Sequence, residues 1–164
     1  MEKWDLYDKN LNIVGEHIRG NKILGNVYHL VVHVWIKNSK GQFLISKRSA
    51  NRTFNPLMWE CIGGSVLKGE KSLEGALREV KEEIGLDLNP NSGKMIHFMV
   101  REKFNDIVNV WLFNYDGDVN LNNATTNEVK QTKWLYPKQI KNLDNALQLV
   151  PTLRYFFDVV LQFD

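Results

Sequence analysis

The sequence predicts a single α/β domain, in which a mixed β-sheet lies between helices. Short runs of β-branched and aromatic residues, such as residues 28–36, alternate with polar turns and indicate strands. A strongly amphipathic helix follows near the middle of the chain, and apolar residues return at helical spacing near its end. Because a sheet and a helix each bury an apolar face, this order favours helices on both faces of the sheet. The 164 residues suit one domain of this kind.

The first 25 residues are expected to form an N-terminal extension. Two short strands, residues 4–7 and 12–18, flank a polar turn, and a stretch that begins and ends with glycine, residues 20–25, follows them. This stretch leads into the buried strand at residues 28–36. A homodimer formed through the N-terminal strands is one open possibility.

The elements that follow are predicted in order along the chain. A turn at residues 38–41 joins a hairpin partner at residues 43–47, and a polar loop at residues 48–56 precedes a short strand at residues 59–62. Later strands are expected at residues 94–101, 108–115 and 129–135, with a short helix beginning at Pro137. A terminal helix over residues 147–163 is predicted from apolar residues at helical spacing, which are Leu149, Leu153, Phe156, Phe157, Val160 and Leu161.

Composition argues against several classes of protein. The net charge of +2 is small and the basic residues are scattered, so we expect no binding to nucleic-acid polymers or to membranes. The longest apolar runs are too short to span a bilayer, and the N-terminus lacks the pattern of a secretory signal. A single cysteine, Cys61, excludes an internal disulfide and fits a reducing compartment. A cytoplasmic location is therefore expected.

The amphipathic helix lies within residues 63–88. Ser72 is a suitable N-cap, and Gly85 stands where a helix usually ends. Between them, apolar residues follow the i, i+3, i+4 rule and predict a face that packs inward. These residues are Leu73, Ala76, Leu77, Val80 and Ile84.

Acidic residues crowd one side of this helix. Glu79, Glu82 and Glu83 fall within about 100° of one another around the helix axis, and Glu70 lies on the loop just before it. Arg78 is four residues before Glu82 and can pair with it, but one arginine cannot neutralise four glutamates. A hard divalent cation such as Mg²⁺ is a suitable partner, since it prefers oxygen ligands. On charge alone, a solvated acidic face is the alternative.

The complete spacing of this segment resembles the Nudix box over residues 64–86. Every specified position of that motif is filled, by Gly64, Glu70, Arg78, Glu79, Val80, Glu82, Glu83, Gly85 and Leu86. The resemblance implies the family's α/β/α sandwich and the hydrolysis of diphosphate linkages with Mg²⁺ or Mn²⁺. It further implies that the substrate is a small molecule, namely a nucleoside di- or triphosphate or a nucleotide derivative.

The resemblance also implies roles for individual residues. Metal ligands would be Glu79, Glu82 and Glu83, together with the backbone carbonyl of Gly63 or Gly64. One of these glutamates would take the proton from the attacking water. Arg78 would hold a glutamate in place, and Glu70 would support the ligands without binding the metal itself. Glu128 would serve as a further base or ligand, and a plain surface-loop residue is the alternative for it.

Substrate recognition is expected from loops outside the motif, at residues 20–25, 48–56 and 121–128. Arg48 and Arg52 bracket part of the second loop and are candidates for contacts with substrate phosphates. A plain solvated loop is the alternative for both arginines.

Two other functions stay open. More of the chain has a looser similarity to isopentenyl-diphosphate isomerase, but Gly63 and Ser65 stand where that enzyme's cysteine and histidine would fall. Cys61 is expected to be a small buried residue rather than a nucleophile. His29 and His33 are expected to have satisfied partners, although either could face a pocket. The second alternative is a binding module that has lost catalysis, which the intact acids disfavour.

Overall fold

The longest strand of the molecule, β3 (Tyr28–Lys37), divides two hydrophobic cores in the computed structural model, which describes residues 1–163. Successive side chains of a strand face opposite sides of the sheet. Leu30 and Val32 accordingly contribute to one core, whereas Val31 and Trp35 contribute to the other. The strand is buried on both faces, as its nearly continuous apolar sequence predicts.

Eight further strands join β3 in one mixed sheet. They are β1 (Lys3–Tyr7), β2 (Ile13–Ile18), β4 (Phe43–Arg48), β5 (Trp59–Glu60), β6 (Ile62–Ser65), β7 (Gly93–Arg101), β8 (Asp106–Asn114) and β9 (Val129–Leu135). β3 is parallel to β8 and antiparallel to β1, β4 and β6. β2 pairs with β1, β7 with β8, and both β5 and β9 with β4. The α/β class and the mixed sheet are thus confirmed.

Helix α1 (Ser72–Ile84) covers the first core. Its residues Ala76, Val80 and Ile84 have no exposed surface, in agreement with the predicted apolar face. The helix ends as predicted at Gly85, whose φ of 70° lies in the left-handed region that glycine adopts without strain.

The prediction of Ser72 as the N-cap is wrong by one residue. Lys71 is the N-cap, and the Glu74 carboxylate accepts its backbone N–H at 2.7 Å. The Ser72 hydroxyl instead accepts hydrogen bonds at 2.9 Å from the side chains of Asn109 and Trp111 in β8. A contact with a distant strand, which local spacing does not reveal, therefore shifts the cap.

Helix α2 (Pro137–Asn145) lies over the second core and begins at Pro137, as predicted. Its Ile140 is fully buried in that core beside Leu149 and Phe156. Helices therefore cover both faces of the sheet. Within residues 1–163, no helix has the length and apolar character needed to cross a bilayer.

The predicted terminal α-helix over residues 147–163 is wrong. Residues 148–150 run along β5, where Gln148 and Val150 exchange backbone hydrogen bonds of 2.8 and 2.9 Å with Trp59. Pro151 holds the residue before it in an extended conformation, so an α-helix cannot continue through this point. Two 3₁₀ segments follow, Pro151–Phe157 and Val160–Gln162. The apolar residues of the pattern, including Leu153 and Val160, are still buried in the second core.

Candidate active site

Arg78 lies at the centre of the acidic residues of the α1 segment. Its Nε donates to Glu70 at 2.8 Å, Nη1 donates to Glu79 at 2.8 Å and to Glu82 at 3.0 Å, and Nη2 donates to Glu70 at 3.1 Å and to the Ser65 carbonyl at 2.8 Å. A guanidinium has five N–H donors, so this set uses its full capacity. The expected Arg78–Glu82 pair is therefore present within a larger network that fixes the acids against β6.

Glu70 supports this network from the loop that precedes α1. Its Oε2 also accepts the backbone N–H of Leu67 at 2.9 Å, which closes the loop between β6 and α1. The residue before Glu70, Gly69, donates its N–H to Asp5 in β1 at 2.7 Å. Glu70 thus contacts both Arg78 and the loop.

The two glycines before the helix permit close approaches of different kinds. A Cβ on Gly64 would stand 2.4 Å from the carboxyl carbon of Glu79, whereas a Cβ on Gly63 would stand 2.4 Å from the backbone carbonyl oxygen of Val32. Gly64 therefore makes room for an acidic side chain of the candidate site. Gly63 makes room for the pairing of β6 with β3.

Two acids of the cluster are buried without full compensation. Burial raises the pKa of Glu79 to about 7, even though the adjacent Arg78 acts in the opposite direction. Glu83 is only 5% exposed, and its Oε2 has no hydrogen-bond partner among residues 1–163. Burial, together with the charges of Glu60 and Glu79, raises the pKa of Glu83 well above its usual range. A buried carboxylate in this state is costly unless a cation accompanies it.

A loop at residues 121–128 docks on the C-terminal end of α1. Thr126 donates its N–H at 3.1 Å and its hydroxyl at 3.2 Å to the Glu82 carbonyl. The approach is possible because residue 85 is glycine, since a Cβ there would stand 2.4 Å from the carbonyl carbon of Asn123. This docking brings the end of the loop, with Glu128, to the face of the helix that carries the acids.

Glu128 is held by the second predicted recognition loop. Its carboxylate forms an ion pair with Arg52, and its backbone carbonyl accepts the N–H of Ser49 at 2.8 Å. The Ser49 hydroxyl also donates to the Asn127 carbonyl at 2.6 Å. Residues 48–56 and 121–128 are therefore joined across the entrance to the acid cluster.

Arg48 stabilises the structure of its own loop. Its Nη1 donates to both carboxylate oxygens of Glu60, at 2.7 and 2.8 Å, and its Nε donates to the Phe54 carbonyl at 2.9 Å. The side chain still lines a cavity, but these contacts direct its charge toward Glu60. Arg48 therefore shapes the loop, whereas among residues 1–163 the Arg52 guanidinium pairs only with the Glu128 carboxylate at the cavity wall.

Two adjoining cavities lie above these residues. The first, of about 270 Å³, is lined by the acid cluster and the glycines, including Glu79, Glu82, Arg78, Gly63 and Gly64. The second, of about 390 Å³, is lined by both loops, including Arg48, Asn51, Thr53, Phe54, Thr126 and Asn127. Arg19, Arg52 and Glu128 border both cavities. The first predicted recognition loop, residues 20–25, lines neither of these two cavities.

The donor set fits a hard divalent cation, although the side chains do not form a finished ligand cluster. Among residues 1–163, no three His, Cys, Asp or Glu side chains are grouped closely enough to hold a metal ion, because Arg78 draws Glu79 and Glu82 toward itself. Oxygen donors nevertheless dominate the site, and the unpartnered Oε2 of Glu83 is buried beside them. Carboxylates and backbone carbonyls are the ligands that Mg²⁺ prefers.

Two residues at the site were missed by the sequence reasoning. Arg19 and Glu2, from the N-terminal hairpin, line the acid cavity and form an ion pair at 2.6 Å. Neither belongs to a recognisable motif. Only the pairing of β1 with β3 brings them near α1, so no local signal in the sequence marks them.

Cys61 and the two strand histidines are structural in this fold. Cys61 is 4% exposed, and burial raises the pKa of its thiol, as expected for a small buried residue. His29 stacks on Trp4 with ring centroids 4.3 Å apart and has its Nδ1 3.1 Å from the Asn105 carbonyl. His33 has its Nδ1 2.8 Å from the Tyr155 hydroxyl. Both histidines thus have partners.

The fold is an α/β/α sandwich, in which α1, the loop before it and the preceding glycines carry the candidate site. Residues 27–158 match the NUDIX domain family. Over 160 residues the chain is 35% identical to a Nudix hydrolase of Listeria innocua, which covers 96% of this chain and 91% of that protein. The chain therefore belongs to the Nudix hydrolase family, whose enzymes cleave pyrophosphate bonds.

Two further comparisons bear on fold and on the alternative function. A Deinococcus radiodurans protein of known crystal structure has a TM-score of 0.75, with 23% identity, covering 91% of this chain and 92% of that one. This likeness shows the shared fold. Isopentenyl-diphosphate Delta-isomerase of Escherichia coli is 30% identical over 63 residues, which are 38% of this chain and 35% of that enzyme.

Proposed function

We propose that this chain is a Mg²⁺- or Mn²⁺-dependent pyrophosphohydrolase that cleaves a diphosphate linkage in a nucleoside di- or triphosphate or a nucleotide derivative. The observation that carries the proposal is the order of groups along the two adjoining cavities. Box acids line the first cavity, Arg19 and Arg52 border both cavities, and Asn and Thr side chains form most of the remaining lining of the second. A substrate with a phosphate chain and a polar organic part matches this order.

The cation would be held by Glu79, Glu82 and Glu83, with the backbone carbonyl of Gly63 or Gly64. A divalent cation bound there supplies Lewis-acid stabilisation of charge on phosphate oxygens and lowers the pKa of nearby water. The partnerless Oε2 of Glu83 supports this assignment, because a cation would offset the cost of burying its charge. Arg78 keeps the acids in place through its hydrogen bonds to Glu79 and Glu82.

Proton transfer is assigned to the more exposed acids. The side chains of Glu82 and Glu128 are 38% and 36% exposed and line the acid cavity, so both are accessible to water. One of them accepts a proton as water attacks a phosphorus atom of the substrate. The bond between that phosphorus and the bridging oxygen then breaks, giving two phosphorylated products or one product and orthophosphate.

Arg52 is assigned to the substrate's phosphate chain. It borders both cavities and is held in the free chain by Glu128. A guanidinium binds phosphate oxygens with charge-assisted hydrogen bonds, which are stronger than neutral ones. Arg48 supports the same loop through Glu60 and lines the second cavity.

The isomerase alternative rests on the partial similarity to that enzyme. The structure gives it little support, because Cys61 is buried and the second cavity is lined mainly by Arg, Asn and Thr side chains. An isoprenoid chain would gain little from such a polar lining. Phe54, which is 74% exposed, is an aromatic side chain at this cavity on which a base could stack.

The test is a panel of nucleoside di- and triphosphates, nucleotide derivatives and isopentenyl diphosphate, each incubated with Mg²⁺, Mn²⁺ or a chelator. We expect phosphorylated products from a nucleotide substrate, with loss of activity in the chelator. Conversion of isopentenyl to dimethylallyl diphosphate without phosphate release would establish the isomerase instead. Tight nucleotide binding without turnover would establish the binding module.

A further inference from the structure

We propose that Arg19, supplied by the N-terminal hairpin, binds the substrate's phosphate chain where the two cavities meet. The inference rests on the proposed function, because it assigns one more residue to the same substrate. Arg19 directly follows β2, and Gly20 turns the chain with a φ of 97° immediately after it. The hairpin of β1 and β2 thus ends with the positively charged side chain of Arg19 at the candidate site.

The position of Arg19 is the first support for this assignment. Its side chain borders the acid cavity and the loop cavity, and Arg52 is the other arginine that borders both. The backbone of Arg19 is fixed, since its N–H donates to the Glu2 carbonyl at 3.0 Å. A guanidinium anchored in this way is supplied to both cavities by the N-terminal hairpin.

The free donors of Arg19 are the second support. Within residues 1–163 its guanidinium donates only to Glu2, through Nη1 at 2.6 Å, and the side chain is 60% exposed. Most of its five N–H groups are therefore available to an anion. The pKa of Arg19 lies above its usual value because of the bond to Glu2, and the charges of Glu128 and Glu79 add to this effect. These acids are thus within electrostatic range of the guanidinium.

The charged side chains where the two cavities meet favour the binding of an anion. Arg19 and Arg52 are each paired with one carboxylate of the cavity wall, Glu2 and Glu128 respectively. A phosphate chain entering between the arginines replaces or supplements these carboxylates, since arginine can bind a phosphate with two parallel hydrogen bonds. Substrate binding would then also loosen the ion pair that holds Glu128.

The hairpin lies before residues 27–158, which match the family. Arg19 therefore lies outside the segment that matches the family, whereas the acids assigned to bond cleavage lie within it. A residue of this kind contributes to substrate affinity more than to the chemical step. Its loss should raise KM much more than it lowers kcat.

The experiment compares Arg19→Gln with Lys3→Gln. Lys3 lies on the same hairpin and its exposed ammonium pairs with Glu16 at 3.5 Å, so the control removes the same charge away from the cavities. Binding of a methylene-bridged nucleoside diphosphate with Mg²⁺ is measured by calorimetry, and steady-state constants are measured on the best substrate of the panel. Thermal unfolding checks that both variants fold.

We expect Arg19→Gln to weaken probe binding and raise KM by about tenfold or more, the usual size of a lost charge-assisted hydrogen bond. Lys3→Gln should change both values less than about twofold, since exposed ion pairs contribute little. Arg19→Lys should restore part of the affinity, because the charge returns without the planar donors.

The outcomes separate this inference from the proposed function. Equal binding by Arg19→Gln and Lys3→Gln would overturn the role of Arg19, even if the wild-type chain hydrolyses nucleotides. Failure of the wild-type chain to bind the probe would overturn it as well. If the chain hydrolyses no diphosphate but binds the probe through Arg19, the inference stands and the proposed function fails.

Discussion

On the face of the sheet opposite α1, the hydroxyl of Tyr155 serves two buried side chains at once. It accepts the Trp35 Nε1–H at 2.9 Å and lies 2.8 Å from the His33 Nδ1. On the α1 face, two buried side-chain atoms lack hydrogen-bond partners, Oε2 of Glu83 and Oδ1 of Asn109, and these are the only such atoms among residues 1–163. The buried polar side chains around Tyr155 are therefore hydrogen-bonded, whereas Glu83 and Asn109 on the α1 face each keep one buried oxygen without a partner.

This contrast separates what the fold needs from what the function needs. Buried polar groups in a structural core are normally hydrogen-bonded, because an unpaired group costs about 1–3 kcal/mol. Departures from that rule tend to mark functional sites, where stability is lower than it could be. Substitutions of the candidate-site acids on the α1 face should therefore impair activity and spare stability, and substitutions of the hydrogen-bonded polar groups on the opposite face should do the reverse.

The largest effect is expected for the acids of α1. Glu82→Gln and Glu83→Gln should each reduce kcat by roughly two to three orders of magnitude, the usual cost of losing a group that stabilises transition-state charge. Glutamine keeps the shape of the side chain but removes the charge that would hold a cation. Turnover of the best panel substrate and thermal unfolding are measured for each variant.

Glu74→Gln is the matched control for these variants. Glu74 lies on the same helix and is exposed, and its role is to accept the Lys71 N–H, which a glutamine oxygen also does. We expect its turnover to stay within about twofold of wild type, as for a surface change away from the site. Near-normal turnover in both Glu82→Gln and Glu83→Gln would defeat the assignment of the active site.

The adjacent glycines provide the next test. Gly64→Ala places a Cβ against the Glu79 carboxylate, a flexible group that can move away, so activity should fall about tenfold or more with little change in stability. Gly63→Ala places a Cβ against the Val32 backbone carbonyl, which cannot yield without disturbing the sheet. Its free energy of unfolding should fall by about 1–3 kcal/mol. Denaturant unfolding and turnover are measured on both proteins, and a reversed pattern would contradict the roles given to these glycines.

A smaller effect, on stability alone, is expected on the opposite face. Tyr155→Phe removes the hydroxyl shared by Trp35 and His33, and should lower the free energy of unfolding by about 1–3 kcal/mol. The kcat on the best substrate should be unchanged. Tyr136→Phe is the control, because Tyr136 is 47% exposed and should tolerate the same change within about 0.5 kcal/mol. Equal stability of the two variants would show that the buried hydroxyl is not structurally important.

The same contrast explains how much could be predicted from the sequence. β3 and α1 follow from local periodicity, since alternation and helical spacing depend only on neighbouring residues. The acids of α1 were found because their spacing along one helix is itself the signal. The Ser72 cap was misassigned because a contact with β8, distant in sequence, determines it.

Residues 147–163 show the limit of periodicity most clearly. Their apolar spacing correctly marked buried residues such as Leu153 and Phe156, but the backbone is not α-helical. Hydrogen bonds to Trp59 and the proline at position 151 decide the conformation, and the first of these is a tertiary contact. Arg19 was missed for the same reason, since only the packing of the hairpin brings it to the cavities.

The smallest expected effect is a change in how stability depends on pH, and it tests the face of the sheet opposite α1. Burial lowers the pKa of His33 to about 3, from an ordinary value of 6.5. Trp35 can only donate to the Tyr155 hydroxyl, so the tyrosine proton is free to bond to a neutral His33 Nδ1. The folded protein therefore keeps His33 neutral at pH values where the unfolded chain protonates it.

The sign of the effect follows from proton counts. Between pH 6.5 and about 3 the unfolded chain binds the extra proton, so this contribution to stability is present above pH 6.5 and is lost as the pH falls. His33→Asn keeps an acceptor near the Nδ1 position but cannot be protonated. Lowering the pH from about 6 to about 5 should therefore destabilise wild type by about 1 kcal/mol more than this variant. Unfolding by urea at the two pH values measures the difference. Equal losses of stability in the two proteins would show that His33 is protonated in the folded state. The polar groups on this face would then be less fully hydrogen-bonded than the structure indicates.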